Sequence, residues 1–403
     1  MCAEGGVRSV VRRTGVRGGG ATACGLARVV ACVLACAFAW AGRARAEVVV
    51  GGYVEAYGQW NANAPSNGLT NLRGFDNRSG TLTLANAALD TKWGEGEASF
   101  GRLTLQVGPT AATYYAAEPR KPGANGANAS SAELWRYLQQ AYVGQTFAVG
   151  RGLTLVAGLL LTPIGPESIP VRECMNWSRS NLFFALPYYQ TGARLSTTLA
   201  DGHEVSLMAF NGWNAVVDGN GAPSLAARYA WTAPEASLQL LYWGGSERPS
   251  GAAEGPALRH LFDAVATWKP QENLEFALHA DAGFEPTRLG VAHWQGAAAY
   301  ARVFVAPELA IAARTDAIRE RVPERGGVRA TPMLLPVGWL ASQTLTIDYR
   351  PHARTSIRLE GRDDRAQGDA FFGGAVQGDG EATPYAANRR AQQTITLGMT
   401  TWF

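Results

Sequence analysis

His279 and Asp281 are the residues of this chain whose types and spacing could perform hydrolytic chemistry. A histidine acts as a general base when a carboxylate orients its ring. One residue separates the two, so an extended strand places both side chains on the same face. A water-filled interior also carries many ionisable side chains, which gives the pair a non-catalytic interpretation as part of an aqueous lining. The residues alone favour the lining over catalysis.

Known catalytic and cofactor motifs are missing from the chain after residue 46. It has no Walker loop and no HExxH, CxxC or GxSxG motif, and each of these would have marked a specific chemistry. We therefore expect no enzyme, no cofactor and no metal site. A hydrolase that uses His279 and Asp281 stays open as the less favoured alternative.

Segments of alternating polarity carry these residues. In the segment 272–284, Leu274, Phe276 and Leu278 fall on one face, whereas His279 and Asp281 fall on the other. This period of two is typical of a strand with one apolar and one polar side. Sixteen such segments follow residue 47, at about 48–60, 80–93, 97–110, 135–147, 152–161, 188–199, 203–214, 223–232, 235–245, 258–268, 272–284, 293–305, 307–318, 340–349, 353–363 and 391–403.

The connections between these segments alternate between short and long. Short turns follow the even-numbered segments, at 94–96, 148–151, 200–202, 233–234, 269–271, 306–307 and 350–352. Long connections follow the odd-numbered segments, at 61–79, 111–134, 162–187, 214–222, 246–257, 285–292, 319–339 and 364–390. Short periplasmic turns and long extracellular loops are typical of outer-membrane barrels. The predicted fold is all-β: a single transmembrane antiparallel β-barrel of about 16 strands (14–18) in the bacterial outer membrane.

Charged residues on the non-lipid faces of the strands are the predicted pore lining. Such side chains have no low-energy place in a barrel except an aqueous lumen. The mixture of signs indicates a polar channel without strong ion choice. The candidates are Arg102, Arg194, Arg228, Arg259, Asp263, Glu275, His279, Asp281, Arg302, Arg314, Asp316, Arg358 and Glu360.

The connection from Thr162 to Pro187 allows two interpretations. It combines several prolines with aromatic residues, which need apolar cover. In one interpretation it is an ordinary exterior loop whose aromatics join the girdle at the membrane surface. In the other it folds into the barrel and narrows the lumen, and Arg172, Glu173 and Arg179 supply the charges of the constriction.

Both ends of the chain carry targeting features. Arginines precede the apolar run Val29–Ala41, which is too short for a membrane span, and Ala44-Arg45-Ala46 follows it. We interpret residues 1–46 as a secretory signal peptide and 47–403 as the barrel. The final strand alternates up to an aromatic C-terminus, and such ends resemble the signal that hands bacterial outer-membrane barrels to their assembly machinery. Phe403 is therefore the predicted assembly signal.

Removal of the signal peptide changes the charge balance. It takes away seven Arg and one Glu, so 36 basic and 33 acidic residues become 29 and 32, and the net charge changes from +3 to −3. No basic stripe remains that would indicate a nucleic-acid partner. Four of the five cysteines also leave, so Cys174 has no partner for an intramolecular disulfide.

Several motifs give the chain a resemblance to the OmpL-like β-barrel outer-membrane porins. They are Gly52–Tyr57, Gln140–Tyr142, Leu161–Gly165 with Glu167, Asn176–Ser180, Pro187–Gly192, Asn211–Asn214 with Asp218 and Asn220, and Arg358–Asp364. The resemblance implies a barrel with a porin role and implies no substrate or catalytic residue.

These observations together predict an outer-membrane porin that allows passive diffusion of small hydrophilic solutes. Its other expected partners are outer-membrane lipid and the barrel assembly machinery, with a possible homotrimer. The alternative is a plugged or narrow barrel that binds a ligand or a surface partner through its loops. About sixteen to eighteen strands leave an aqueous channel, whereas about eight do not.

Overall fold

Strands of alternating polarity pair in antiparallel order around a closed barrel. The computed structural model describes residues 47–120, 129–248, 251–252 and 254–403, so the predicted signal peptide lies outside the described residues. The barrel strands are β1 (Val48–Asn61), β2 (Leu82–Trp93), β3 (Ser99–Val107), β4 (Leu138–Phe147), β5 (Leu153–Leu161), β6 (Tyr189–Ala200), β7 (His203–Phe210), β8 (Ser224–Thr232), β9 (Ala236–Ser246), β10 (Leu258–Gln271), β11 (Leu274–Thr287), β12 (Gly290–Ala306), β13 (Leu309–Arg321), β16 (Trp339–His352), β17 (Thr355–Ala366) and β18 (Ala391–Trp402). β14 (Glu324–Arg325) and β15 (Val328–Arg329) form a separate two-stranded hairpin.

The sixteen barrel strands confirm the predicted all-β barrel. Each of the predicted segments overlaps one strand, and consecutive strands are neighbours around the barrel. Ring closure comes from β1 and β18, which pair from Tyr53 opposite Trp402 to Asn61 opposite Thr394. Closure leaves no open sheet edge, which a membrane-spanning sheet requires because lipid cannot satisfy free backbone groups.

Side chains on each strand divide between the outer surface and the interior. On β11, Leu278 is 60% exposed, whereas the next residue, His279, is 2% exposed. Leu345 on β16 and Leu397 on β18 are exposed in the same way, and the polar residues beside them are buried. The exposed apolar residues form the lipid-facing surface, so the polar residues point inward.

Several boundaries differ from those predicted, and three of these differences have a clear physical reason. The connection predicted at 285–292 is only 288–289, because β11 and β12 remain paired to Thr287 opposite Gly290. Pro286 lies near a strand end, where the loss of one donor does not stop pairing. The segment predicted at 97–110 ends at Val107, since Pro109 begins a helix, Pro109–Tyr115, and proline suits the first helical turn. The segment predicted at 135–147 begins at Leu138, after a short helix Ala132–Trp135.

No helix among the described residues is long and apolar enough to cross a membrane. The remaining long connections lie at one rim of the barrel, and the short turns lie at the other. That the short turns face the periplasm remains a prediction. Protease added to intact cells tests it, since cleavage is expected in 367–390 and not at 201–202.

Some of the long connections pack into the interior of the barrel. The helix Pro109–Tyr115 buries Tyr114 and Tyr115 in a cluster with Phe75, Phe183 and Tyr189. The connection after β5 contains two 3₁₀ turns, Val171–Glu173 and Phe183–Ala185, and most of its side chains are buried. Loop residues and inward-facing strand residues therefore form a shared core, and this arrangement positions the site.

Candidate functional site

The connection 162–188, called the inner loop below, is fixed to the barrel wall through backbone groups. The Glu360 carboxylate on β17 accepts hydrogen bonds from the backbone N–H of Trp177 at 2.7 Å and of Ser178 at 3.0 Å. The Asp316 carboxylate on β13 accepts the backbone N–H of Asn181 at 2.9 Å. The Glu55 carboxylate on β1 accepts the N–H of Val171 at 2.7 Å. Carboxylates on three strands therefore hold one loop against the inside of the barrel.

Arginines of the same wall bind the carbonyl oxygens of the inner loop. Arg358 Nη1 donates to the carbonyls of Val171 at 3.1 Å and Asn176 at 3.0 Å. Arg362 Nη1 donates to the carbonyl of Arg179 at 2.6 Å. Arg314 Nη1 donates to the Ser178 carbonyl at 2.5 Å and to Glu167 Oε1 of the loop at 3.1 Å. We call the inward faces of β13, β16, β17, β18 and β1 the covered wall, because the loop lies on their charged groups.

Aromatic residues of the inner loop pack on the barrel interior. The Trp177 ring is 2% exposed and lies against Gly398 of β18, where the ring leaves no room for a Cβ. Its centroid is 6.1 Å from that of Tyr57. Phe183 packs on Phe75 with ring centroids 5.8 Å apart. These rings obtain apolar cover inside the barrel, in the arrangement that the inward interpretation of the loop describes.

The three charged residues predicted for a constriction occupy two kinds of position. Arg179 is 2% exposed, and its guanidinium donates to the carbonyls of Ser168, Ile169 and Trp177 within its own loop. The side chains of Arg172 and Glu173 keep 23% and 45% of their surface exposed. Arg179 thus braces the loop backbone, whereas Arg172 and Glu173 lie 3.9 Å apart and keep part of their surface accessible. The role of all three in a constriction stays a prediction.

A second group of predicted lining residues keeps accessible surface inside the barrel. Arg102 pairs with Asp90 at 2.8 Å, Arg228 with Glu204 at 3.3 Å, and Arg302 with Glu275. The side chains of these three arginines are 21%, 20% and 18% exposed. Arg194 on β6 is likewise half-buried. We call the inward positions Arg102, Arg194, Arg228 and Arg302 the open wall.

Two further groups of predicted lining residues lie elsewhere on the interior. Arg259 donates to Glu285 Oε2 at 2.7 Å, and Arg248 pairs with the same carboxylate near the long-loop rim. Asp263, His279 and Asp281 form a buried cluster on β10 and β11, in which His279 Nε2 lies 2.9 Å from Asp263 Oδ2. The structure thus brings His279 and Asp281 together, at a place that the inner loop covers.

Loop groups near the long-loop rim have shifted acidities. The carboxylate of Glu118 accepts the Tyr189 hydroxyl at 2.6 Å and the N–H of Val216 at 3.0 Å. Burial raises the pKa of this Glu118 carboxyl above its ordinary value, although these hydrogen bonds act in the opposite direction. Burial also raises the pKa of the Cys174 thiol in the inner loop.

Several residues on the covered wall, or in loops packed against it, escaped the predicted set. Glu55 and Arg362 lie on inward strand positions, so the alternation of β1 and β17 could have revealed them. Glu167 and Arg73 lie in loops, where no period indicates their direction. Arg73 is 4% exposed and pairs with Asp76 of its own loop and with Asp364 of β17 at 3.2 Å.

The fold and its lining define an outer-membrane barrel of the porin class. The family described as "Putative beta-barrel porin-2, OmpL-like" matches residues 47–403, and the chain belongs to this family. No curated protein sequence matches it significantly.

Solved structures of low sequence identity share the fold. The outer membrane channel DcaP of Acinetobacter baumannii is 11% identical, with a TM-score of 0.56, over 89% of this chain and 97% of that chain. An anion-selective porin from Comamonas acidovorans is 10% identical, with a TM-score of 0.53, over 89% and 100%. OmpT, an outer membrane protein of Vibrio cholerae, is 8% identical, with a TM-score of 0.55, over 89% and 98%.

Proposed function

We propose that this porin passes small hydrophilic solutes by passive diffusion along the open wall. The observation that carries the proposal is the contrast inside the barrel. Arg102, Arg228 and Arg302 keep about a fifth of their surface accessible, whereas Arg358 on the covered wall is 0% exposed. Charged groups that keep accessible surface inside a barrel of sixteen strands are what an aqueous path would contact.

We further propose that the inner loop sets the size cutoff of this path. Its attachment to carboxylates and arginines of the covered wall supports a fixed obstruction, because each attachment joins two buried polar groups. Arg172 and Glu173 would face the passing solute, since their side chains keep exposed surface. Arg179 would support the loop from within.

Reconstitution of the purified protein into planar bilayers tests diffusion. We expect stable, ohmic single-channel steps, and liposome swelling in which small sugars enter faster than large ones. Empty detergent micelles and heat-unfolded protein serve as controls. A folded barrel that gives neither current nor swelling would contradict the proposal.

The closed or plugged barrel is the second candidate, and one observation favours it. Tyr114, Tyr115, Phe75, Phe183 and Tyr189 form an aromatic cluster inside the barrel, built from three long connections and β6. A silent barrel whose exposed loops bind a ligand would fit such packing. The bilayer measurement separates the two candidates.

We propose no catalytic role for His279 and Asp281. Both side chains are buried, and a Cβ at Gly165 of the inner loop would lie 3.0 Å from the His279 ring. A substrate could not reach the ring in this arrangement. We expect purified wild-type protein to show no esterase or protease activity. The His279→Gln variant should give the same result.

We also propose that the barrel assembles as a homotrimer. An outward patch of small residues on β11–β13 would let neighbouring barrels approach closely. It consists of Ala280, Ala282, Ala297, Ala299, Ala313, Thr315 and Ala317. Native mass spectrometry of the detergent-solubilised protein should show three chains, and a purely monomeric spectrum would contradict this.

Phe403 retains its proposed role in assembly. Its backbone exchanges hydrogen bonds with Gly52, and its side chain is 63% exposed. The aromatic end of β18 thus projects from the closed barrel, where a receptor could bind it before closure. Phe403→Ala should lower the amount of assembled barrel and leave its conductance unchanged. Wild-type assembly in this variant would exclude the role.

A further inference from the structure

Two buried aspartates face each other across neighbouring strands. In the register of β10 and β11, Asp263 is the direct partner of Asp281, and Val265 is the partner of His279. Asp263 and Asp281 are each 4% exposed. Like charges placed directly opposite destabilise a sheet, and burial increases the cost because water no longer screens them.

The donors around these carboxylates are too few for their oxygens. His279 Nε2 lies 2.9 Å from Asp263 Oδ2 and 3.2 Å from Asp281 Oδ2. Nε2 carries at most one hydrogen, and its hydrogen bond goes to Asp263. Within the part of the chain that the structure describes, no group donates a hydrogen bond to either oxygen of Asp281 or to Oδ1 of Asp263. One N–H thus serves four carboxylate oxygens.

The neighbouring strands supply no counter-charge at these positions. Leu241 of β9 is the partner of Asp263, and Gly296 and Ala298 of β12 are the partners of Asp281 and His279. Arg228 of β8 is the register partner of Leu241, so it lies two strands away from Asp263. Its guanidinium pairs with Glu204 at 3.3 Å. The aspartates therefore lie in an apolar part of the wall.

The inner loop closes the cluster from the inside of the barrel. Gly165 approaches the His279 ring so closely that a Cβ would lie 3.0 Å from Cε1. Ile164 and Leu182 are both 0% exposed and belong to one apolar core with Leu241 and Ala298. Bulk water does not screen the negative charge here, so a bound cation would be strongly favoured.

We propose that Asp263, His279 and Asp281 bind a divalent transition-metal ion. Their ligand atoms all lie within 4.8 Å of one another. The Nε2 to Oδ2 separations of 2.9 and 3.2 Å lie a little below the distance of roughly 3.3–3.6 Å expected between tetrahedral ligands about 2.0–2.2 Å from a zinc ion. Two carboxylates and a neutral imidazole also balance the charge of a divalent ion. Imidazole favours Zn²⁺ over Mg²⁺ and Ca²⁺, which prefer oxygen ligands alone.

The proposed site departs from the expectation that the chain holds no metal. The motifs that predict metal sites place their ligands close together in sequence. Here Asp263 lies on a different strand from His279 and Asp281, and only the register of β10 and β11 brings the three together. The bound ion would cross-link these two strands beneath the inner loop.

Metal content of the folded barrel tests the proposal. Untagged protein, purified in detergent, is treated with EDTA, loaded with Zn²⁺ and desalted. Its zinc content is then measured by inductively coupled plasma mass spectrometry. We expect one Zn²⁺ per chain, and a loss to background in Asp281→Asn and His279→Gln. Asp90→Asn, inside the barrel, and His203→Gln, on the outward side of β7, remove the same charge or ring elsewhere and should retain the metal. Excess Mg²⁺ or Ca²⁺ should not displace the bound Zn²⁺.

Two results would overturn the site. One is folded wild-type protein that retains no Zn²⁺ after desalting. In that case a protonated His279 would supply the positive charge opposite Asp263 and Asp281. The other is equal retention by His279→Gln. Heat-modifiable mobility on gels reports whether each variant folds. If the variants do not fold, X-ray absorption of the wild-type protein decides, since an imidazole ligand supports the site and oxygen ligands alone refute it.

Discussion

The covered wall and the open wall carry the same kinds of residues in different surroundings. Arg358 on the covered wall is 0% exposed and binds two loop carbonyls, whereas the side chain of Arg228 on the open wall is 20% exposed and pairs with Glu204. Burial without a partner is costly for a charge, so the covered wall depends on its loop. The open wall meets water and needs no such cover. Identical chemistry therefore serves loop attachment on one wall and lines the proposed solute path on the other.

Replacement of residues 166–180 by a short Gly-Ser linker should have the largest effect. Removal of the loop would expose Arg314, Arg358 and Glu360 to the lumen and make the covered wall resemble the open wall. We expect the single-channel conductance to rise roughly two-fold or more, because the removed segment no longer obstructs the lumen of a sixteen-stranded barrel. Planar-bilayer recording and the entry of larger sugars into liposomes measure this.

The linker variant also needs a folding control. Heat-modifiable mobility should show an assembled barrel before conductance is compared. An assembled variant with unchanged conductance would mean that the inner loop does not limit the path, and the contrast between the two walls would then lose its functional meaning.

Removal of one carboxylate from each wall should affect stability very differently. Glu360→Ala leaves the buried N–H groups of Trp177 and Ser178 without an acceptor, and we expect a loss of about 3–5 kcal/mol in the free energy of unfolding. Glu204→Ala breaks the pair with Arg228, in which the Glu204 side chain is 44% exposed, and a long hydrogen bond from Ser206 Oγ at 3.5 Å, and it should cost about 0–1 kcal/mol. Urea unfolding in lipid vesicles measures both. Equal losses would show that the loop contacts add nothing.

Strand alternation predicted which residues face inward, but not which of them the loops cover. Arg228 and Arg358 both lie on the inward side of an alternating strand, and nothing in either strand distinguishes them. Arg358 is covered and Arg228 is not because of the inner loop, whose sequence has no periodicity that would predict its path. The barrel was therefore predictable strand by strand, because lipid imposes one rule on every strand.

That the inner loop lies on the covered wall could be predicted only in part, from the aromatic residues in the loop. Trp177, Phe183 and Phe184 indicated a loop that needs apolar cover, yet the girdle interpretation explained Phe183 and Phe184 at least as well as the inward one. The contacts of Trp177 with Gly398 and of Glu360 with the loop backbone join positions far apart in sequence. Such pairings depend on the closed barrel and cannot be deduced from either segment alone.

Charge reversal on the open wall should change ion selectivity with little effect on stability. The double substitution Arg194→Glu and Arg228→Glu places negative charge beside the proposed path, and we expect the cation-to-anion permeability ratio to rise roughly two-fold. Arg365→Glu is the control, because this side chain is 69% exposed and pairs with Asp363 on an outward position. Reversal potentials in a salt gradient measure the ratio. Equal shifts in both proteins would mean that the solute path does not follow the open wall.

The smallest effect is expected at Cys174, whose labelling reports the cover on the wall directly. Its side chain is buried in the inner loop, and its thiol lies 3.4 Å from the Ser168 carbonyl, to which it donates. Burial also raises the pKa of the thiol, so little reactive thiolate forms at neutral pH. A membrane-impermeant maleimide should therefore label the folded barrel slowly and the urea-unfolded chain completely. Introduction of Glu360→Ala should accelerate labelling of the folded protein, because the loop loses its acceptor on β17, whereas Glu204→Ala should not. Rapid labelling of the wild-type barrel would show that the loop leaves the wall in solution, and the division between a covered and an open wall would no longer hold.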